Sequence, residues 1–209
     1  MKRFLFLAIL MISTIVFAEN SSTAEATFDA YEEATIHFHD GTSIRGFGKI
    51  TYNSSIKFKT TEDGEPDTWT ELMLKGITLH RELDDIDFLY VNVKNRSMMQ
   101  LLEVIELGEI SIFVNVSPST QSTSTTFNNS TGLLNSTTTF QNPNYEFFLK
   151  KDNESEAIRL FGIINFRKKA IEFFKNCPQI VDRLNERKYK RGHIIEMVYY
   201  YNDYCAALD

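Results

Sequence analysis

The chain has four histidines, and two of them sit at a spacing that could do chemistry. His37-x-His39 places both imidazoles on one face of any extended segment, with Asp40 adjoining and His80 elsewhere in the chain. Two histidines on a strand can begin a metal site, which needs three or four converging ligands. No third ligand follows at a fixed spacing. Ala34, Ile36 and Phe38 alternate with Thr35, His37 and His39, which turns the apolar set inward and the histidines to solvent. Asp84-Asp85-x-Asp87 opens like a calcium loop but lacks its glycine and spaced terminal glutamate, and reads as a solvated turn. Gly46-Phe47-Gly48 lacks the third glycine and the following helix of a dinucleotide turn, so these glycines mark a bulge or sharp bend in a strand. Walker, HExxH and GxSxG motifs are absent. The sequence therefore nominates no catalytic, metal or cofactor-binding residue, and no cofactor is expected.

Cys177 and Cys205 are the only cysteines. An even count in an exported chain favours a disulfide, and the missing CxxC spacing argues against redox catalysis. Closing their loop stabilises a fold by about 3–4 kcal/mol in the chain-entropy model. Two basic clusters, Arg167-Lys168-Lys169 and Arg187-Lys188-x-Lys190-Arg191, offer cations to anionic lipid or polysaccharide, but read first as the wet faces of helices. Tyr199, Tyr200 and Tyr204 could stack on a sugar ring. At helical spacing Tyr201 is core, and its neighbours are expected to cover the sheet.

The elements that must position these residues belong to a chain of 209 residues, 43% hydrophobic and 24% charged. Those proportions exclude a collagen-like, wholly disordered or multi-span membrane protein and allow one or two compact domains. Residues 1–18 read as a signal peptide: Lys2 and Arg3 lead an apolar stretch that ends at Val16-Phe17-Ala18 before polar Glu19. A spanning helix needs about 20 apolar residues, more than this segment holds, so no transmembrane segment is expected after cleavage. Cys205-Ala206-Ala207-Leu208 fails as a prenylation box because Asp209 follows. Without residues 1–18 the balance is 20 basic against 28 acidic side chains, net −8. Residues 19–116 carry 8 basic and 18 acidic side chains, and 143–209 carry 12 and 10. The acidic body disfavours nucleic acid as a partner.

Residues 19–30 look like a loose leader. Strand candidates follow at 34–38, 44–51 and 56–60, with Asp40-Gly41 as a hairpin turn and 61–67 as a polar loop. Residues 69–81 are ambiguous, although Ile77 and Leu79 alternate with Thr78 and His80. Further candidates lie at 88–93, 98–106, 109–116 and 145–151, with Leu107-Gly108 suited to a tight turn. Residues 117–142 hold 14 Ser/Thr among 26 positions and no charge, and read as a long disordered loop. From Leu160 the period becomes helical through Ile163, Ile164, Ala170, Ile171 and Phe174. Pro178 opens a second helix over 178–187, and Ile194, Val198, Tyr201 and Cys205 form the stripe of a third. The two cysteines then fall at the distal ends of the first and third helices. Sequons at Asn20, Asn53, Asn95, Asn115, Asn128, Asn129, Asn135 and Asn153 are glycosylation sites only in a eukaryotic secretory pathway.

The expected organisation is a signal at 1–18, a leader at 19–30, a β-rich body at 31–160 and a helical tail at 161–209. The fold class is α+β, an antiparallel sheet or small barrel followed by three helices. Ala34-x-Ile-x-Phe-x-Asp-Gly-Thr, Leu101-Leu102-Glu103-Val104 leading to Gly108, and Phe173-Phe174-Lys175-Asn176-Cys177-Pro178 with Tyr200-Tyr201-Asn202 form a pattern. It resembles exported proteins of unknown function from Bacteroidetes, particularly flavobacteria, with a β-rich body and a short two-cysteine helical tail. The resemblance covers most of 31–205 and implies a periplasmic or secreted setting but no activity. The functional expectation is an exported, non-enzymatic protein that binds a protein or glycan partner. The alternative is an exported hydrolase whose acidic site assembles only in the fold.

Overall fold

The computed structural model describes residues 30–120, 127–128, 133–134, 141–160 and 165–206. The proposed signal, nearly all of the leader, Ile163 and Ile164 lie outside the described residues. The strands are β1 (Glu32–Phe38), β2 (Ser43–Ile50), β3 (Ile56–Lys59), β4 (Asp67–Trp69), β5 (Leu74–His80), β6 (Asp85–Val91), β7 (Gln100–Glu106), β8 (Ile110–Thr120), β9 (Phe127–Asn128), β10 (Leu133–Leu134) and β11 (Gln141–Lys151). Nine of them form one antiparallel sheet in the order β11-β8-β7-β6-β5-β1-β2-β3-β4, and β9 pairs only with β10. The sheet is open, with β4 and β11 at its outer positions, so of the two expected architectures the barrel is not the one adopted. Three helices follow, α1 (Phe166–Phe173), α2 (Pro178–Asn185) and α3 (Ile194–Tyr204), the last entered through a 3-10 turn at Arg191–His193.

The first hairpin closes where Asp40-Gly41 places it. Gly41 adopts φ 87°, a conformation that costs an L side chain about 1 kcal/mol or more. Asp40 Oδ1 accepts the Thr42 amide at 2.9 Å and the Thr42 hydroxyl at 2.7 Å, which holds the Asp40 carboxyl below its ordinary pKa. The ladders carry one row across six strands: Ile36, Ile77, Phe88, Glu103, Val114 and Phe147 are successive cross-strand partners on one face. Two cores grow from that face. Ala34, Ile36, Ile77 and Leu79 pack with Ile56, Phe58, Leu74 and Leu101 at one end. At the other, Ile110, Ile112 and Leu149 are covered by residues of the three helices, including Phe174, Leu184, Met197 and Val198. β2 fits over the first core because Gly48 has no side chain: a Cβ there would lie 2.6 Å from Ile77 Cδ1. A third cluster on the opposite face joins Val91, Leu102, Phe113 and Phe148 beneath Val93 and Ala157.

Three expectations change. Asp67 is the first residue of β4 rather than the end of a loop, and the ambiguous 69–81 stretch divides into the end of β4, a turn and β5. The segment expected to be loop over 117–142 begins and ends as strand, with Ser117 opposite Asn144 and Thr120 opposite Gln141. The sequence of these extensions holds no apolar residue besides Pro118 and Pro143, so no hydrophobic alternation betrays them. β9 and β10 form a short hairpin inside the same segment. Tyr199 and Tyr204 remain exposed rather than covering the sheet, while Tyr201 is buried as its spacing requires. Cys177 and Cys205 are joined, with Cα atoms 5.6 Å apart and both side chains buried. Cys177 lies between α1 and α2 and Cys205 caps α3, so the bond ties the tail's two ends together.

Candidate functional site

The face opposite the main cores changes character along the sheet. Thr35, Thr78 and Asp87 are successive partners across β1, β5 and β6, whereas Val104, Phe113 and Phe148 continue the row across β7, β8 and β11. The first half is a polar grid and the second an apolar floor.

Two hydrogen-bonded chains run through the grid. An ionised Asp87 can only accept, so the Thr78 hydroxyl donates to Asp87 Oδ1 at 2.6 Å. Having spent its proton, Thr78 Oγ1 accepts from His37 Nε2–H at 2.8 Å, which fixes the His37 tautomer. In the second chain His80 Nδ1–H donates to Asp85 Oδ1 at 2.9 Å. On its other side His80 Nε2 lies 2.8 Å from Thr35 Oγ1, at hydrogen-bond distance. His37 is therefore part of a cross-strand network and only partly exposed, contrary to its expected place in solvent. His39, which is exposed as expected, bonds the Glu71 carbonyl at 2.8 Å instead of converging with His37. The ladder shifts register between His37 and Phe38, which separates the two rings. Asp85 and Asp87 belong to β6 and serve as acceptors, so this acidic run is solvated as expected but is largely strand rather than turn. Among the described residues no group of three His, Cys, Asp or Glu side chains is arranged to hold a metal.

Beside the grid the face is hollowed into a trough. One part, about 460 Å³, is lined by His37, Thr42, Lys75, Asp87, Leu89 and Leu107 among others. A second part, about 660 Å³, continues over Phe113 toward Glu109, Lys150 and Asp152. The two share Lys75, Leu89 and Leu107, so they adjoin on one face of the sheet. Two register shifts in the sheet, His37/Phe38 and Val104/Glu106, flank it. A bulge bends its strand and increases the local twist, which is how an otherwise regular sheet acquires a hollow. Leu107 is 58% exposed and Met99 40%, both on the trough's wall. No histidine or cysteine reasoning pointed to Lys75, Leu107 or Thr78. The available signal was phase: Thr35/His37, Thr78/His80 and Asp85/Asp87 each place polar residues at alternate positions of a strand.

On the other face Arg81 clamps Glu32 through Nε at 2.5 Å and Nη2 at 2.9 Å. Burial raises the Glu103 carboxyl above its ordinary pKa, and the charge of Arg81 offsets part of that rise. Tyr90 donates its hydroxyl to the Ser54 carbonyl at 2.7 Å, and burial raises its pKa as well. These contacts tie strand ends together, and Tyr90 also lines the larger part of the trough.

No family model matches the chain, and neither a curated protein nor a solved structure is similar to it.

Proposed function

We propose that the chain is an exported, non-enzymatic binding protein of the envelope or the secreted milieu, whose trough takes an extended segment of a protein partner. The observation that carries this reading is the trough itself: an apolar floor rimmed by charges of both signs, Lys75 and Lys150 against Asp87, Glu109 and Asp152. A polypeptide offers apolar side chains and charges of both signs in alternation. A sugar would be gripped through exposed aromatic faces, and the most exposed tyrosines, Tyr52 and Tyr204, do not line it. The apolar N-terminus and the disulfide support the location. Among the described residues no helix is long and apolar enough to cross a membrane.

The test is selection of peptides from a random displayed library on the wild-type protein, followed by binding to Leu107→Asp and Lys75→Glu. Both side chains are exposed, so the variants should fold. Selected peptides should lose at least about tenfold in affinity for each variant, since one apolar contact or one charge pair carries ~1–2 kcal/mol. Peptides that bind all three proteins equally would place binding elsewhere.

One observation favours the hydrolase alternative. Thr35, His80 and Asp85 stand in the order hydroxyl, base and orienting acid. Against it, β1 is paired on both sides, with Thr35 opposite Arg45 and Thr78, so its amides serve the ladders rather than an oxyanion. Neither Thr35 nor His80 lines the trough. An esterase or peptidase activity abolished by Thr35→Ala would reverse this preference.

A further inference from the structure

The helical end is charged oppositely to the body. Residues 30–120 carry 8 basic and 15 acidic side chains, whereas 165–206 carry 9 and 5. The sheet order separates the two, because α3 packs on β8 near one edge while β1 to β4 occupy the other. The cations concentrate where α2 turns into α3: Arg187, Lys188, Lys190 and Arg191 are all exposed.

That loop is pinned at its centre. Tyr189 is buried, its amide bonds the Arg183 carbonyl at 3.0 Å, and its hydroxyl donates to Glu196 at 3.1 Å. The Arg183 guanidinium lies 5.2 Å from the Tyr189 ring and 5.0 Å from that of Tyr200, and donates to the Tyr189 hydroxyl at 2.6 Å. Tyr200 in turn stacks at 4.8 Å on Tyr204, which is 63% exposed. The four cations therefore stand on a fixed mount, continuous with an exposed aromatic ring. Arg187 follows α2 at φ 61°, a left-handed cap that glycine adopts without strain, and its amide bonds the Leu184 carbonyl at 3.2 Å.

We propose that this cationic helical end docks on anionic phospholipid head groups. A layer of head groups offers phosphates to several exposed cations at once, and an exposed tyrosine suits the interface between head group and acyl chain. The acidic body is repelled by the same surface, so the molecule would stand on its helices with the rest of the sheet turned away.

The experiment is sedimentation of the full chain with vesicles of phosphatidylglycerol and phosphatidylcholine, and with phosphatidylcholine alone, at low and physiological salt. The wild type is compared with Arg187→Gly and with Arg187→Gly/Lys190→Gln. All three proteins carry the same N-terminus, so differences between them read the helical end alone. Each lost charge should weaken binding to the anionic vesicles about fivefold, and the pair about 30-fold. Binding to phosphatidylcholine should not change. Arg187→Gly should meanwhile raise the melting temperature, so weaker binding cannot be ascribed to misfolding. Equal binding of the three proteins overturns the proposal, as does equal binding of wild type to both lipids. A preference for polygalacturonate that competes the protein off the vesicles also overturns it, in favour of an acidic polysaccharide.

Discussion

Replacing Asn202 by alanine removes a side chain that ties α3 to the start of β8 through the backbone. Asn202 Oδ1 accepts the Ile110 amide at 3.0 Å, and Asn202 Nδ2 donates to the Ile110 carbonyl at 2.9 Å. The side-chain amide thus completes both backbone groups of a residue whose own side chain is fully buried. Leaving a buried donor or acceptor unpaired costs about 1–3 kcal/mol each. Asn202 is only partly buried and Gly108 beside it is exposed, so water can reach the vacated site, and the lower half of that range applies. The expected loss is about 2–4 kcal/mol, read from urea melts followed by the fluorescence of the single tryptophan, Trp69. Two further variants test the cause. A Cβ on Gly108 would stand 2.5 Å from Asn202 Nδ2, so Gly108→Ala should cost about 1–3 kcal/mol alone and almost nothing in an Asn202→Ala background. Asn202→Asp keeps the acceptor but sets a second oxygen against the Ile110 carbonyl, which favours the protonated acid and raises its folded-state pKa. Its stability should therefore be greatest below the unfolded-state value and fall as pH rises through the folded one. A loss under about 0.5 kcal/mol for Asn202→Ala, or additive costs in the double variant, would refute the reasoning.

Other outcomes follow from the same structure. Reducing Cys177–Cys205, which spans 28 residues, should lower stability by about 3 kcal/mol in urea melts and loosen amide protection first in the helices. Gly48→Ala should cost about 1–3 kcal/mol, because the new methyl would lie 2.6 Å from Ile77 Cδ1 and 2.9 Å from Ala34 Cβ, both on fully buried residues. Burial raises Glu103 above the ordinary 4.5, so its contribution to stability is complete below that value and is lost as pH rises through the folded-state pKa. Glu103→Gln should flatten that part of the stability profile above the ordinary value of 4.5, and an unchanged profile would show that the carboxyl is well solvated.

Much of the framework can be read from the chain because its causes are local. Alternation at Ala34, Ile36 and Phe38 depends on two adjacent pleats, Asp40-Gly41 on one turn, and the stripe Ile194, Val198, Tyr201 and Cys205 on one helix. Cysteine parity and the helical spacing were enough to pair Cys177 with Cys205. β4 and the outer reaches of β8 and β11 were not legible, because β4 has only three residues and one apolar side chain, the outer reaches show no apolar alternation in sequence, and both are defined by their neighbours' ladders. The candidate site was legible least of all. His37, Thr78 and Asp87 lie far apart in sequence and meet only because β5 inserts between β1 and β6, an order set by the whole sheet. Gly108 and Asn202 each stand out in the sequence, yet nothing local says that one leaves room for the other. Pattern along a chain records which face of an element is wet or dry. Which elements become neighbours depends on how nine strands and three helices can bury those faces together, and only the tertiary structure resolves that choice.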